Sequence, residues 1–198
     1  MSLRRSVEPE RLRPITLAQW ADLPEDEPGE FVDGFLVEEE DVGALHDVIV
    51  GWLMVLLGSW GNTRGATVAV SDTTRFALTA GRGRKPDLWA YLGGRKPPAE
   101  GLVAVPPDLV VEVVSPTPRD ERRDRVEKVD EYAAFGVRWY WIVDPQLRSF
   151  QVLELGDDNR YSHAVTATSG LVDRIPGCPG LSIDLDALWA KADSLVST

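Results

Sequence analysis

The chain is poor in the residues that hold soft metals and cross-link chains. One cysteine, Cys178, and two histidines, His46 and His163, stand among 198 residues. A lone cysteine excludes an intrachain disulfide, and no Cys/His group has the spacing of a zinc site or a thiol–imidazole dyad. A cytoplasmic home is the expectation. Long apolar runs are scarce too. The longest uncharged apolar stretch, 48–63, contains Gly and Asn and falls short of the ~20 residues of a bilayer span, so no membrane partner is expected. No secretory leader is expected either. Gly81-Arg82-Gly83 lacks the rest of either glycine-rich phosphate fingerprint. Ser115 has no neighbouring histidine to act as a base. Positive charge is in deficit: 21 Lys+Arg face 32 Asp+Glu, a net of −11, which taken whole argues against a coat for nucleic acid.

The deficit is uneven. Residues 1–50 carry 4 basic and 13 acidic side chains, residues 51–150 carry 14 and 12, and residues 151–198 carry 3 and 7. The middle is slightly basic, with clusters at Arg82, Arg84, Lys85, at Arg95, Lys96, and at Arg119, Arg122, Arg123, Arg125. A polyanion partner for that segment stays open, as does the plainer reading of solvated loops and one polar helix face.

Length and pattern predict a single α/β domain over 1–198, with 1–15 as a flexible extension. Thr16 caps a short helix, and Asp33-Gly34 marks a tight hairpin. Leu45, Ile49, Trp52, Leu53, Leu56, Leu57 and Trp60 line one face of a long helix. Strands are expected at 66–70, 73–78, 87–91, 109–114, 139–143, 149–155 and 161–165, with a basic loop over Arg82–Lys85. A second helix starts at a cap on Thr117 with Pro118 and Asp120 behind it, and stops at Gly136. A last helix carries Leu185, Leu188, Trp189 and Leu195. The sheet is expected to be mixed and flanked by helices.

Three residues stand where they cost free energy. Glu112 interrupts Leu109-Val110-Val111-Glu112-Val113-Val114, a run that otherwise reads as a strand buried on both faces. An ionised carboxylate there costs several kcal/mol unless it is paired, hydrogen-bonded or metal-bound. Asp87 follows Pro86 at the start of another strand, and a single connection of about twenty residues can set the two acids side by side at one sheet end. A pair of hard oxygen ligands suits Mg²⁺. Lys128 lies on the border of the second helix's inward side, marked by Val129, Tyr132, Ala133 and Phe135. It is either a solvated lysine on an apolar edge or an ammonium sent over the strand ends. Glu30 and His46 are auxiliary candidates: Glu30 either reaches the same edge or is a solvent-facing member of the acidic segment, and His46, near the start of the long helix, is either a ligand or a satisfied core or helix-start histidine.

Pro86-Asp87, the block from Pro107 to Pro116, Lys128 with Tyr132, and Gly136-Val137-Arg138-Trp139-Tyr140-Trp141-Ile142-Val143-Asp144-Pro145 together resemble the Uma-two family of bacterial restriction endonucleases. The hairpin from Glu30 to Val37 and His46 resemble its N-terminal half. The resemblance implies a restriction-endonuclease-like fold with a PD-(D/E)xK site. In that site Asp87 and Glu112 would bind Mg²⁺ or Mn²⁺, the main-chain carbonyl of Val113 would add a ligand, and a lysine would assist the attacking water. Two residues after Glu112, where the motif has lysine, this chain has Val114. Lys128 on the following helix is the matching position.

Three readings follow. The first is a Mg²⁺-dependent endonuclease acting on DNA, with Arg82, Arg84, Lys85, Arg119, Arg122 and Arg123 tracking the backbone and a homodimer serving two-strand cutting. The second is a catalytically silent nucleic-acid- or protein-binding module on the same fold, with Trp20, Trp60, Trp89, Trp139 and Trp141 at contacts. The third is a Mg²⁺ hydrolase of small phosphoesters. A nuclease further requires that the acidic N-terminal segment lie away from Asp87 and Glu112 and that basic clusters flank them.

Overall fold

The computed structural model describes residues 13–24, 27–37, 43–71, 73–115 and 123–195. A two-residue strand, β1 (Arg13–Pro14), leads into α1 (Leu17–Ala21). The Thr16 hydroxyl accepts the Gln19 N–H, and the Gln19 side chain accepts the Thr16 N–H in return, which satisfies two helix-start donors. The hairpin forms between β2 (Glu30–Val32) and β3 (Phe35–Val37). Asp33 (φ 50°) and Gly34 (φ 87°) both take the left-handed dihedrals that a two-residue turn between twisted strands requires.

The long helix, α2 (Ala44–Asn62), buries Ile49, Leu53, Leu57 and Trp60 as the apolar spacing foretold. At 19 residues it has the length and hydropathy of a membrane span, longer than the uncharged stretch suggested, yet those four side chains belong to the protein core. Then come β4 (Thr67–Val70), β5 (Phe76–Thr79), β6 (Arg82–Arg84), β7 (Leu88–Tyr91) and β8 (Leu109–Val113). A π-helical turn at Arg123–Glu127 runs into α3 (Lys128–Phe135), which Gly136 stops in the left-handed region (φ 95°). The chain continues through β9 (Trp139–Asp144), β10 (Ser149–Leu155), β11 (Tyr161–Ala167), β12 (Leu171–Val172), β13 (Ile183–Asp184) and α4 (Leu185–Asp193).

The main sheet is mixed, in the order β11-β10-β9-β8-β7-β4, and β8–β9 is its one parallel pair among the described residues. A parallel pair needs a crossover, and the segment containing α3 supplies it. Leu109, Val111 and Val113 of β8 join the core that includes α2 and α4. Val110 and Val114 join a second core with Tyr132 of α3 and Tyr140. All five residues of β8 are buried, so Glu112 does stand in a strand covered on both faces.

A second, antiparallel sheet, β1-β3-β2-β6-β5, was not foreseen. The stretch read as a basic loop is strand β6, paired to β2 across some fifty residues. Its hydrophilic sequence hid it, because Arg82 and Arg84 are neutralised by carboxylates from distant elements rather than by water. Between them, Gly83 is the floor under Trp20: a Cβ there would lie 2.4 Å from the indole, so the bare backbone lets α1 close over β6. The strand expected at 73–78 begins only at Phe76. Leu195 lies beyond the last helix and is exposed, because the helix frays after Asp193. The cap expected at Thr117, with Pro118 and Asp120, lies outside the described residues.

Candidate active site

The antiparallel register of β7 and β8 sets Leu88 opposite Val111 and Trp89 opposite Val110. One step further puts Asp87 across from Glu112, and directly opposed residues share a face with Cβ atoms ~5 Å apart. The contacts agree with that placement. Asp87 Oδ2 accepts the Val113 N–H at 2.7 Å and lies 3.2 Å from His46 Nε2, at the start of α2. Its other oxygen, Oδ1, has no partner among the described residues, and the side chain is 20% exposed. Asp87 is the open end of the cluster.

Glu112 is the closed end. Tyr132 donates its O–H to Oε1 at 2.6 Å, and Lys128 Nζ lies 3.0 Å from Oε2. The crossover explains the lysine. After β8 the chain must return over the same face, and α3 lays Lys128 and Tyr132, one turn apart, directly on Glu112. Lys128 also pairs with Asp124 Oδ1 at 2.9 Å, one turn earlier, and is itself buried rather than running along an edge. The Tyr140 hydroxyl donates to the Asp124 carbonyl, holding the turn down on the sheet.

Glu30, from the acidic N-terminal segment, is fully buried beside this group. Its Oε2 accepts Arg84 Nη1 at 2.5 Å, its Oε1 accepts the Lys85 backbone N–H at 3.1 Å, and Arg123 Nη1 is 4.0 Å away. Arg84 reaches Glu131 of α3 as well, through Nε at 2.7 Å and Nη2 at 2.9 Å. The structure thus brings Glu30, His46, Asp87, Glu112, Lys128, Arg84 and Arg123 to one sheet end.

Several expectations change here. Arg84 is fully buried between Glu30 and Glu131, so it does not face a polyanion. Arg82 pairs with Asp33 and Glu131, and Lys85 is buried with Nζ donating to the Glu27 carbonyl. Arg123 is buried near Glu30. Arg119 and Arg122 lie outside the described residues. The requirement that the acidic N-terminal segment stay away fails at Glu30, whose charge is consumed by Arg84. Trp20, Trp60, Trp89 and Trp141 are core residues rather than contact residues, and Trp139 is half-buried. Three members of the cluster were not singled out as site residues: Asp124, Glu131 and Tyr132. Asp124–Lys128–Tyr132 at i, i+4, i+8 was the available signal, because that spacing stacks side chains on one face.

Charge explains the pKa directions. Burial opposes ionisation of Glu30, but Arg84, with Lys128 and Arg123, outweighs it and draws the carboxyl down to about 2. For Glu112 burial dominates, and the carboxylates of Asp87, Asp124 and Glu30 add to it; against the single ammonium of Lys128 they hold the carboxyl well above its ordinary range. Burial also opposes the charge on Lys128, yet Asp124 and Glu112 keep its ammonium above the usual range. Burial is the largest single influence on His46 and lowers it, but Asp87 and Asp47 together outweigh it, for a net upward shift.

The Glu30 shift has a measurable sign. A depressed carboxyl stabilises the fold fully above pH ~4.5 and loses that contribution as pH falls toward 2, a difference of roughly 3 kcal/mol. Glu30→Gln lacks it. Urea unfolding at pH 7 should show the variant less stable than the parent, and the gap should narrow at pH 3 and close near pH 2.

The donor chemistry fits a hard divalent cation. Glu112 has three carboxylates and one ammonium acting on its charge, Asp87 Oδ1 has no partner among the described residues, and the donors of the two acids are oxygen. Among the described residues no three His, Cys, Asp or Glu side chains form a ready cage.

A family model described as "Putative restriction endonuclease", Uma2 (Uma-two), matches residues 16–187. The chain belongs to the Uma2 family. No curated protein matches. A solved structure from Anabaena variabilis ATCC 29413, described as "a putative nuclease belonging to DUF820", superposes with a TM-score of 0.70 at 19% identity. The alignment covers 90% of this chain and 99% of that one. At that identity the likeness is one of fold: a Uma2 protein has the α/β architecture, mixed sheet and flanking helices, of this nuclease-like structure.

Proposed function

We propose that this Uma2 protein is a Mg²⁺-dependent endonuclease that hydrolyses phosphodiester bonds of DNA. The observation that carries the reading is the buried Lys128 ammonium on Glu112 beside Asp87: two acids and a lysine, from two strands and a helix, meet at one partly open sheet end. Asp87 Oδ1, Glu112 and the Val113 carbonyl are the oxygens that would hold the metal. The metal would supply Lewis acidity and a water of lowered pKa.

The protein's own groups do the rest. The Val113 N–H and His46 fix the Asp87 carboxylate in place. Tyr132 and Lys128 fix Glu112 from both oxygens. Among the described residues Lys128 spends two of its three N–H donors, on Glu112 and Asp124, and the third would serve a water or a phosphoryl oxygen. Its charge, held permanently by the two carboxylates, stands where negative charge develops on a pentavalent phosphate.

The second reading, a catalytically silent module on this fold, is favoured by one observation: Arg82, Arg84 and Lys85 spend their charges inside the protein. Plasmid cleavage separates the two. Supercoiled DNA with Mg²⁺ should be nicked or linearised, and EDTA should stop the reaction. If supercoiled, linear and single-stranded DNA all stay intact in Mg²⁺ and in Mn²⁺, the silent module is correct.

A further inference from the structure

Asp124 is buried, lies off the strands that carry the two acids, and pairs through Oδ1 with Lys128 Nζ at 2.9 Å. Among the described residues that ammonium is its one ion-pair partner. Lys128 already has Glu112 as a counter-charge at 3.0 Å, so neutrality alone does not call for a second buried carboxylate, which costs free energy to desolvate.

Two features of the backbone put Asp124 there. The Tyr140 hydroxyl, from β9, donates to its carbonyl at 2.9 Å. The segment Arg123–Glu127 is also π-helical rather than α-helical. Over eight residues an α-helix makes two turns and about 80° more, which would swing Asp124 out of line with Tyr132. The wider π turn takes back most of that rotation. Lys128 and Tyr132 then lie on Glu112 while Asp124 lies on Lys128, in one stripe. Such turns are rare in helices and occur frequently at functional sites.

Glu112 supplies the reason. Both its oxygens are engaged, Oε1 by Tyr132 and Oε2 by Lys128. Lys128 must therefore share or yield Oε2 to any divalent cation held there, and like charges repel. With no other carboxylate to hold it, the ammonium would either compete for Glu112 or be driven from the site.

We infer that Asp124 is a positioning residue, the second anchor that keeps Lys128 in the site while Glu112 accepts a divalent cation. This role rests on the proposed metal site at Asp87 and Glu112. Electron paramagnetic resonance titration of the full chain with Mn²⁺, without DNA, tests it. Asp124→Asn should weaken Mn²⁺ binding about tenfold, because Lys128 is left with Glu112 alone. Asp124→Glu restores the charge and should recover most of the affinity. Asp124→Asn with Lys128→Met removes both charges and should bind Mn²⁺ at least as tightly as the parent. An Asp124 that served only the fold would lower the melting temperature and leave Mn²⁺ affinity unmoved. Parent-like affinity in Asp124→Asn, or a double variant that binds Mn²⁺ more weakly than the parent, would overturn the proposal; the double variant decides even where the single one does not fold. If the parent binds Mn²⁺ but leaves DNA intact, the nuclease reading fails, and a tenfold loss in Asp124→Asn still supports the anchor. A parent that binds no Mn²⁺ would overturn both.

Discussion

Asp87→Asn should cut metal-dependent cleavage by about a thousandfold or more and leave stability nearly unchanged. The amide oxygen can still accept the Val113 N–H, which is the structural half of what Asp87 does. What disappears is the negative charge and the free Oδ1, the half that a cation needs. Asp87 is also the most exposed of the site acids with described contacts, so neutralising it strands no buried charge; His46 at 3.2 Å keeps Asp47 but loses the stronger of the two carboxylates that favour its proton. Single-turnover cleavage beside urea unfolding measures both quantities. A variant that keeps its activity would remove Asp87 from the chemistry, and one that unfolds would make it a structural residue.

Arg84→Met should be the most destabilising single change at the site. Arg84 is fully buried, and among the described residues it alone pairs with both Glu30 and Glu131. Its loss leaves Glu30 buried with Arg123 as the next cation, at 4.0 Å. Removing one member of a buried ion pair typically costs ~3–5 kcal/mol, because the carboxylate left behind must be protonated or hydrated. In a domain of this size that lowers the melting temperature by roughly 10 °C. Differential scanning calorimetry at pH 7 reads it. Arg82→Met, at a partly exposed position on the same strand, should cost far less.

Residues that broke a local pattern were legible in the sequence. Glu112 in a run of valines announced itself because a charge in a buried strand has few cheap explanations, and Asp87, an ordinary turn residue taken alone, gained weight only as its partner. The Asp33-Gly34 turn, the α2 stripe and the stop at Gly136 were legible for the same local reason: each is decided by a few adjacent side chains and dihedrals. Strand β6 was not. Arg82-Gly83-Arg84 reads as a solvated loop until Glu30, some fifty residues before it, and Glu131, as far after it, are known to meet its guanidinium. Hence the basic cluster taken for a polyanion surface is internal wiring. Lys128 lay between. Its helix and its border position were readable, but burial against Glu112 depends on how the crossover lands, which spacing alone does not give. The net charge of −11 sharpened in the same way: Glu30 and Arg84 cancel inside the fold, while Glu112 and its neighbouring acids remain in excess over Lys128.

The most direct measurement is anomalous scattering from crystals of the protein soaked in Mn²⁺. A peak is expected between Asp87 and Glu112, within coordination distance of both carboxylates and with Lys128 in reach, and it should vanish in Asp87→Asn crystals. A protein that cleaves DNA with no manganese there, or with its manganese bound at other side chains, would contradict the assignment of these acids as the catalytic metal site.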